Sequence, residues 1–189
     1  MQNPSIKGAA LQSVTEDVHR LRNAGRLPES LLAARLKPED LHALDELTVP
    51  GLWYPIATYG RLLDLLCEVE GRGRPDYLVE RGARAAERLM AAGAWRHFLS
   101  SADRWGERAG EAMIQVAKGF YNFTEWSLDH HPATDRYTLT VQGAGDFPDA
   151  ARFAAQGFVQ VLFARMGGRA VDVTSVRPSP DRIVYEIRR

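Results

Sequence analysis

The stretch Thr58-Tyr59-Gly60-Arg61-Leu62-Leu63-Asp64-Leu65-Leu66-Cys67 decides how this chain is read. Ile56, Tyr59, Leu62, Leu63 and Leu66 recur at three- and four-residue steps, which predicts an amphipathic helix running to Val69. Pro55 suits its first turn, where a missing N–H costs nothing, and Gly71-Arg72-Gly73-Arg74-Pro75 ends it. A second helix is expected from Asp76 to about Ala92, with Leu78, Gly82, Ala85, Ala86 and Leu89 on one broad face. Small residues on that face permit close helix approach or leave volume for something else. An apolar pocket is therefore expected between the two helices, lined by Cys67, Tyr59, Leu63, Leu66, Gly82 and Ala86.

Toward the N-terminus, Leu11, Val14, Val18 and Leu21 repeat at helical spacing from Ala9 to Ala24, with Gly25 as the stop. Pro28 opens a second short helix through Leu36 and Pro38 a third through about Leu47. Thr48-Val49-Pro50-Gly51 breaks the pattern, and Leu52-Trp53-Tyr54-Pro55 is extended, so the expected division is a helical extension over 1–50 and a core over 51–189. Leu52, Trp53 and Tyr54 are expected to dock that extension onto the core, because three exposed large apolar groups would invite aggregation.

Toward the C-terminus, a helical stretch is expected from Trp95 to about Gly119, with a break near Ser100 to Asp103. The period then changes to alternation. Phe123 to Leu128 and Tyr137 to Val141 read as a hairpin joined by a long loop, Asp129 to Asp135. Pro148 starts an apolar helix to about Met166, with Asp146 as its capping candidate. Strands near 169–176 and 182–187 close the chain. Helices, hairpin, helix, hairpin implies an α+β domain with a small antiparallel sheet.

The chain has 189 residues, 45% apolar and 25% charged, the range of one globular domain. Its 24 Lys and Arg balance 24 Asp and Glu, which gives no push toward nucleic acid. Arg72, Arg74, Arg81, Arg84 and Arg88, interleaved with Asp76, Glu80 and Glu87, read as a salt-bridged helix face. One cysteine forms no internal disulfide, the N-terminal residues lack the apolar run of a signal peptide, and no segment is long enough to span a bilayer; a cytoplasmic protein is expected.

Sites of chemistry are sparse. Gly143-Ala144-Gly145-Asp146 precedes a helix, but Asp146 would repel a phosphate. His130-His131 with Asp129 and Asp135 lacks a third ligand at a diagnostic spacing, so no metal site is expected. No nucleophile, base and orienter set is evident. Trp95, Phe98, Trp105, Phe120, Tyr121, Phe123 and Trp126 crowd one region, as core residues or an interface.

From Thr58 onward the element order, the Thr-Tyr-Gly to Cys67 spacing, the cluster Gly82, Arg88, Leu89, Trp126 in the first strand and Gly157 in the last helix resemble the small subunits of TRAPP vesicle-tethering complexes. The same architecture belongs to 4-vinyl reductase domains and to the heme-NO-binding-like group. Over its full length, including Trp53-Tyr54-Pro55, the chain is most similar to a myxobacterial paralogous family of undefined function. The resemblance implies a homodimer through the helical face, and it places Cys67 where TRAPP subunits carry a fatty-acylated cysteine. A cysteine metal site like that of many 4-vinyl reductase domains is out of reach, since Val171 to Ile187 contains none. Heme would need an axial ligand, for which His97 is the candidate. The expectation is a non-enzymatic, dimeric interaction or hydrophobic-ligand-binding module without a cofactor, taking a small hydrophobic molecule or fatty acyl chain. The alternative is an enzyme or sensor acting on a hydrophobic or tetrapyrrole ligand.

Overall fold

The structure is a computed structural model that describes residues 3–91 and 109–188. Strand β1 (Ser5–Lys7) leads directly into helix α1 (Gly8–Asn23), followed by α2 (Glu29–Arg35) and α3 (Pro38–Asp45). Strand β2 (Trp53–Pro55) pairs antiparallel with β1, Ile6 lying opposite Tyr54. Then come α4 (Ile56–Val69), α5 (Pro75–Ala91), α6 (Ala109–Phe120), β3 (Glu125–His131), β4 (Arg136–Gln142), α7 (Asp149–Gly167), β5 (Asp172–Ser179) and β6 (Arg182–Arg188). The last four strands form one antiparallel sheet in the order β3-β4-β6-β5. This is the α+β architecture the sequence implied.

Alternation along the strands gives the sheet a dry face. Leu139 and Val141 of β4, Val173 of β5 and Ile183, Tyr185 and Ile187 of β6 are all buried in a core they share with α1, α4 and α7. The residues of 1–50 and those of 51–189 contribute to that one core, from Ile6 through Leu44 to Ile187. The extended segment expected to be the seam is also a strand partner of the N-terminus. Leu52 and Trp53 are 57% and 41% exposed, and Tyr54 alone packs inward, its hydroxyl accepting from the Val49 N–H at 2.9 Å. Docking runs through β1 and α1 instead, and Trp53 carries the Lys7 ammonium over its ring.

The tightest contact in the molecule is the crossing of α5 and α7. A Cβ added at Gly82 would lie 1.8 Å from the Ala154 carbonyl oxygen, and one at Gly157 would lie 1.8 Å from that of Val79. Each glycine thus admits the other helix's backbone, a reciprocal close approach that no residue with a side chain permits. Polar bonds then fix α7 on the sheet: Gln156 Nε2 donates to the Val173 carbonyl at 2.9 Å and Ser175 Oγ to Gln156 Oε1 at 2.7 Å.

Three local expectations change. The long loop at 129–135 is mostly strand, because β3 and β4 stay paired as far as His131 opposite Arg136, with a short 3₁₀ turn at Pro132–Thr134 and Asp135 in the left-handed region. Asp146 does not cap α7; it closes a 3₁₀ turn and Pro148 occupies the N-cap, with Asp149 in the first turn. Arg81 does not belong to an exposed basic face: it is 5% exposed. The expected break at Ser100 to Asp103, His97, and the aromatic residues Trp95, Phe98 and Trp105 lie outside the described residues.

Candidate functional site

Thr58-Tyr59-Gly60 acts in three directions at once. Thr58 hydrogen-bonds the carboxylate of Asp40, which is fully buried and receives Arg61 Nη2 at 2.7 Å, so α3 is tied to α4. Burial raises the Asp40 pKa, but the bonds from Arg61, Thr58 and the Lys37 N–H outweigh it and hold the carboxyl below its ordinary value. Gly60 accommodates Pro148, whose ring would sit 2.5 Å from an added Cβ. Tyr59, between them, reaches a cavity.

That cavity, about 290 Å³, lies among α1, α4, α5, α6 and α7. Its walls are mostly small or apolar: Ala9 and Ala10 on α1, Ala85 and Leu89 on α5, Met113, Val116 and Ala117 on α6, Ala154, Ala155 and Val159 on α7. Phe120 and Phe158 meet edge to face across it with centroids 6.0 Å apart. Behind Tyr121 an aromatic stack continues through Trp126, 5.7 Å away, to Tyr185, a further 6.1 Å. Trp126 settles its indole N–H on Thr124 Oγ1 at 2.8 Å. The volume falls at the small end of the range for ligand pockets, and an apolar lining with a few polar groups is their usual character.

Four polar side chains of the described lining bear on its chemistry. Arg81 is locked: it pairs with Asp17 and donates Nη2 to the Ser13 carbonyl at 2.8 Å, both on α1. Burial raises the Asp17 pKa, yet bonding and charge from Arg81 and Arg20 hold it below its usual value. Tyr59 and Tyr121 bring phenols with no hydrogen-bond partner among the described residues. Burial raises both pKa values, Tyr121 well above the ordinary phenol, so each remains a donor. Arg88 is exposed at the mouth and makes no ion pair among the described residues.

Of the pocket residues expected from sequence, Tyr59 and Gly82 line this cavity. Cys67, Leu63, Leu66 and Ala86 are buried but are not among its lining residues. The reason is the direction of α5, whose small face meets α7 at Gly82 rather than leaving room against α4. Cys67 donates its thiol to the Arg74 carbonyl at 3.4 Å, and burial, with a contribution from Asp64, pushes the thiol pKa up. Glu68, adjacent to Cys67 in sequence, accepts from Arg35 Nε at 2.7 Å. The α1 and α6 walls and Arg88 as a rim group escaped the sequence reading. Ala9 and Ala10 on α1 and Ala117 on α6 were the small residues that could have signalled those walls.

The other motifs have structural roles. The carbonyls of Ala144 and Phe147 accept from Arg177, so the glycine-rich loop presents acceptors to a cation, the reverse of an anion cradle. His130 stacks on Tyr137 at 4.3 Å, His131 Nε2 lies 3.1 Å from Thr138 Oγ1, and no metal-binding group of side chains occurs among the described residues. Phe120, Tyr121, Phe123 and Trp126 are buried or half-buried against the core and so lend a dimer face no support. No helix among the described residues is long and apolar enough to cross a membrane.

No protein-family model matches the chain, and no curated protein does. Solved structures do. The Fe(II) unliganded H-NOX protein from K. algicida is similar with a TM-score of 0.66 at 10% identity, over 96% of this chain and 95% of that one. An alanine-to-glycine mutant of it gives 0.67 at 12% identity over the same shares. A chain whose structure is named for modulating heme redox potential through protein-induced porphyrin distortion gives 0.53 at 13% identity, over 97% of this chain and 99% of that one. At such identities the likeness shows the fold, the heme-NO-binding-like arrangement among those expected. The narrower resemblances, to 4-vinyl reductase domains and the myxobacterial family, find no counterpart in these comparisons.

Heme ligation asks for an imidazole, thiolate, thioether or tyrosinate. The described lining offers neither histidine nor cysteine, and burial keeps its two phenols protonated. The thioether of Met113 is the one group among the described lining residues that could ligate a heme iron, so these residues do not fit a histidine- or cysteine-ligated heme.

Proposed function

We propose that the protein is a non-catalytic ligand-sensing module whose cavity takes a small hydrophobic molecule. The observation that carries this is the apolar cavity lined by two phenols that have no hydrogen-bond partner among the described residues. Such donors orient an apolar ligand that has one acceptor, because a hydrogen bond made there displaces none to a described residue. Among the described lining residues no base stands beside a nucleophile: Arg81 is spent on Asp17, and the phenols stay protonated at neutral pH. Occupancy can be felt beyond the cavity, since Arg81 and Ser13 belong both to its wall and to the joint between α5 and α1.

Native mass spectrometry of freshly purified protein tests the reading, together with thermal shift on adding 1-octanol. A bound mass, or stabilisation that Ala85→Trp removes, is expected. No adduct, and no shift with any apolar probe, would overturn it. A second reading, a tetrapyrrole held without an axial imidazole, is favoured by the fold shared with a heme-related structure. Strong visible absorption by the purified protein is its signature, and protein that is colourless after incubation with porphyrin and removal of the free pigment dismisses it.

A further inference from the structure

We infer that the ligand of this cavity is an amphipathic anion, an apolar body ending in a single carboxylate or similar acid, and that Arg88 at the mouth reads the acid. The inference rests on the proposed ligand-sensing role and narrows its ligand class. It follows from how charge is distributed over the lining. Arg81 and Arg88 are the only charged side chains among the described lining residues, and they stand in opposite situations. Arg81 is buried and neutralised by Asp17, with its second nitrogen on the Ser13 carbonyl, so the interior presents no net charge. Arg88 is exposed and makes no ion pair among the described residues.

Arg88 lies in the last turn of α5 and has no acidic residue at three- or four-residue spacing on that helix. One turn earlier stands Arg84, which has Glu80 at 3.8 Å; Arg88 has no acidic partner among the described residues and a like charge at four-residue spacing, a pairing that weakens a helix slightly. A guanidinium offers planar paired donors that match a carboxylate, and at a partly desolvated rim that pairing exceeds what it earns in open water. The walls behind it, Ala9, Ala85, Leu89 and Phe120, exclude a second charge, because a buried ion without a partner is strongly disfavoured. One acid at the entrance and a hydrocarbon inside is the complement. A body the size of a medium-length acyl chain or a single substituted ring suits a cavity of about 290 Å³.

Three probes of one shape decide it: octanoate, 1-octanol and octylamine, titrated calorimetrically into the full-length protein. Octanoate is expected to bind about five- to tenfold more tightly than octanol at low salt, with octylamine weakest. The octanoate preference should shrink as salt rises. Arg88→Gln should bring octanoate down to octanol while leaving octanol unchanged; Arg84→Gln, one turn away, should leave the preference intact. Equal binding of octanoate and octanol, or a preference that survives Arg88→Gln, overturns the inference and leaves the hydrophobic-ligand reading standing. Failure of all three probes to bind sinks both. Arg88 is exposed, so the variant folds, and an unchanged melting temperature checks this.

Discussion

Replacing Gly82 by alanine sets two effects of opposite sign against each other, which makes the result decisive. Alanine in a helix interior is intrinsically favoured over glycine by about 1 kcal/mol. At Gly82, however, the new methyl would stand 1.8 Å from the Ala154 carbonyl oxygen, whereas ordinary contact begins near 3.4 Å. The shortfall is about 1.6 Å, and the atom in the way is backbone of a packed helix, so α5 and α7 must move apart rather than a side chain swing aside. Separation of that size forfeits a large part of the dispersion energy at the crossing, and overpacking of this kind costs about 3 kcal/mol. Net destabilisation of about 2 kcal/mol is expected, a fall in Tm of roughly 4–8 °C for a chain of this length. Gly157→Ala, which meets the Val79 carbonyl at the same distance, should behave alike. The double variant should cost less than the two singles together, because one separation of the helices relieves both clashes. Thermal unfolding followed by circular dichroism measures all three. A Tm that stays level or rises in either single variant would mean that helix propensity governs these positions and that the crossing is looser than described.

Asp40 has a depressed pKa in the folded protein, so its contribution to stability is present above the ordinary carboxylate value and disappears as pH falls through the folded value. Asp40→Asn should lower stability at pH 7 and flatten the decline between about pH 5 and pH 2 in urea titrations; an unchanged slope would remove Asp40 from the acid response. Asp17→Asn leaves the buried Arg81 without its counter-charge and should cost about 3 kcal/mol. Arg81→Gln, which leaves Asp17 with Arg20, should cost less, and the reverse order in chemical denaturation would contradict the account of Arg81. Cys67 should react slowly with thiol reagents at pH 7, because it is buried with a raised pKa, and quickly after unfolding. Rapid native labelling would refute its placement.

How much of this was legible in the sequence depended on whether a signal was local. Helix α4 was readable to the residue, because Ile56, Leu62, Leu63 and Leu66 mark a continuous stripe and Pro55 and Gly71 bracket it. The direction of the small face of α5 was not. Gly82 declares that something comes close, and only the three-dimensional crossing says that α7 does so and α4 does not. Arg81 was misread for a similar reason: on its own helix it sits among surface charges, and the carboxylate that neutralises it lies on α1, far back in the chain. Strand β1 was invisible, since three residues carry no period, and its partners lie on β2 and near Asn122. For the cavity, Tyr59 and Gly82 were found because they belong to the local motif. The remaining walls come from four helices, whose convergence leaves only scattered alanines in the sequence.

The pinning of the N-terminal strand bears on how the protein comes off the ribosome. Ser5 gives its backbone N–H to Asn122 Oδ1 at 2.8 Å, Asn122 returns a bond to the Ser5 carbonyl at 3.3 Å, and Ile6 bridges Tyr121. At roughly 5–20 residues per second, on the order of ten seconds of translation separate the two ends of that contact. Throughout this interval β1 is held by β2, α1 and α4 without its bonds to Asn122, and a two-stranded ribbon of three residues a side is by itself marginal in water. Strand β1 is thus made well before the segment that completes its bonding, and the apolar flank of α1, from Leu11 to Leu21, must wait with it. A bulky fusion ahead of Ser5 would delay this step most, lowering the yield of soluble protein without altering the stability of the molecules that do fold.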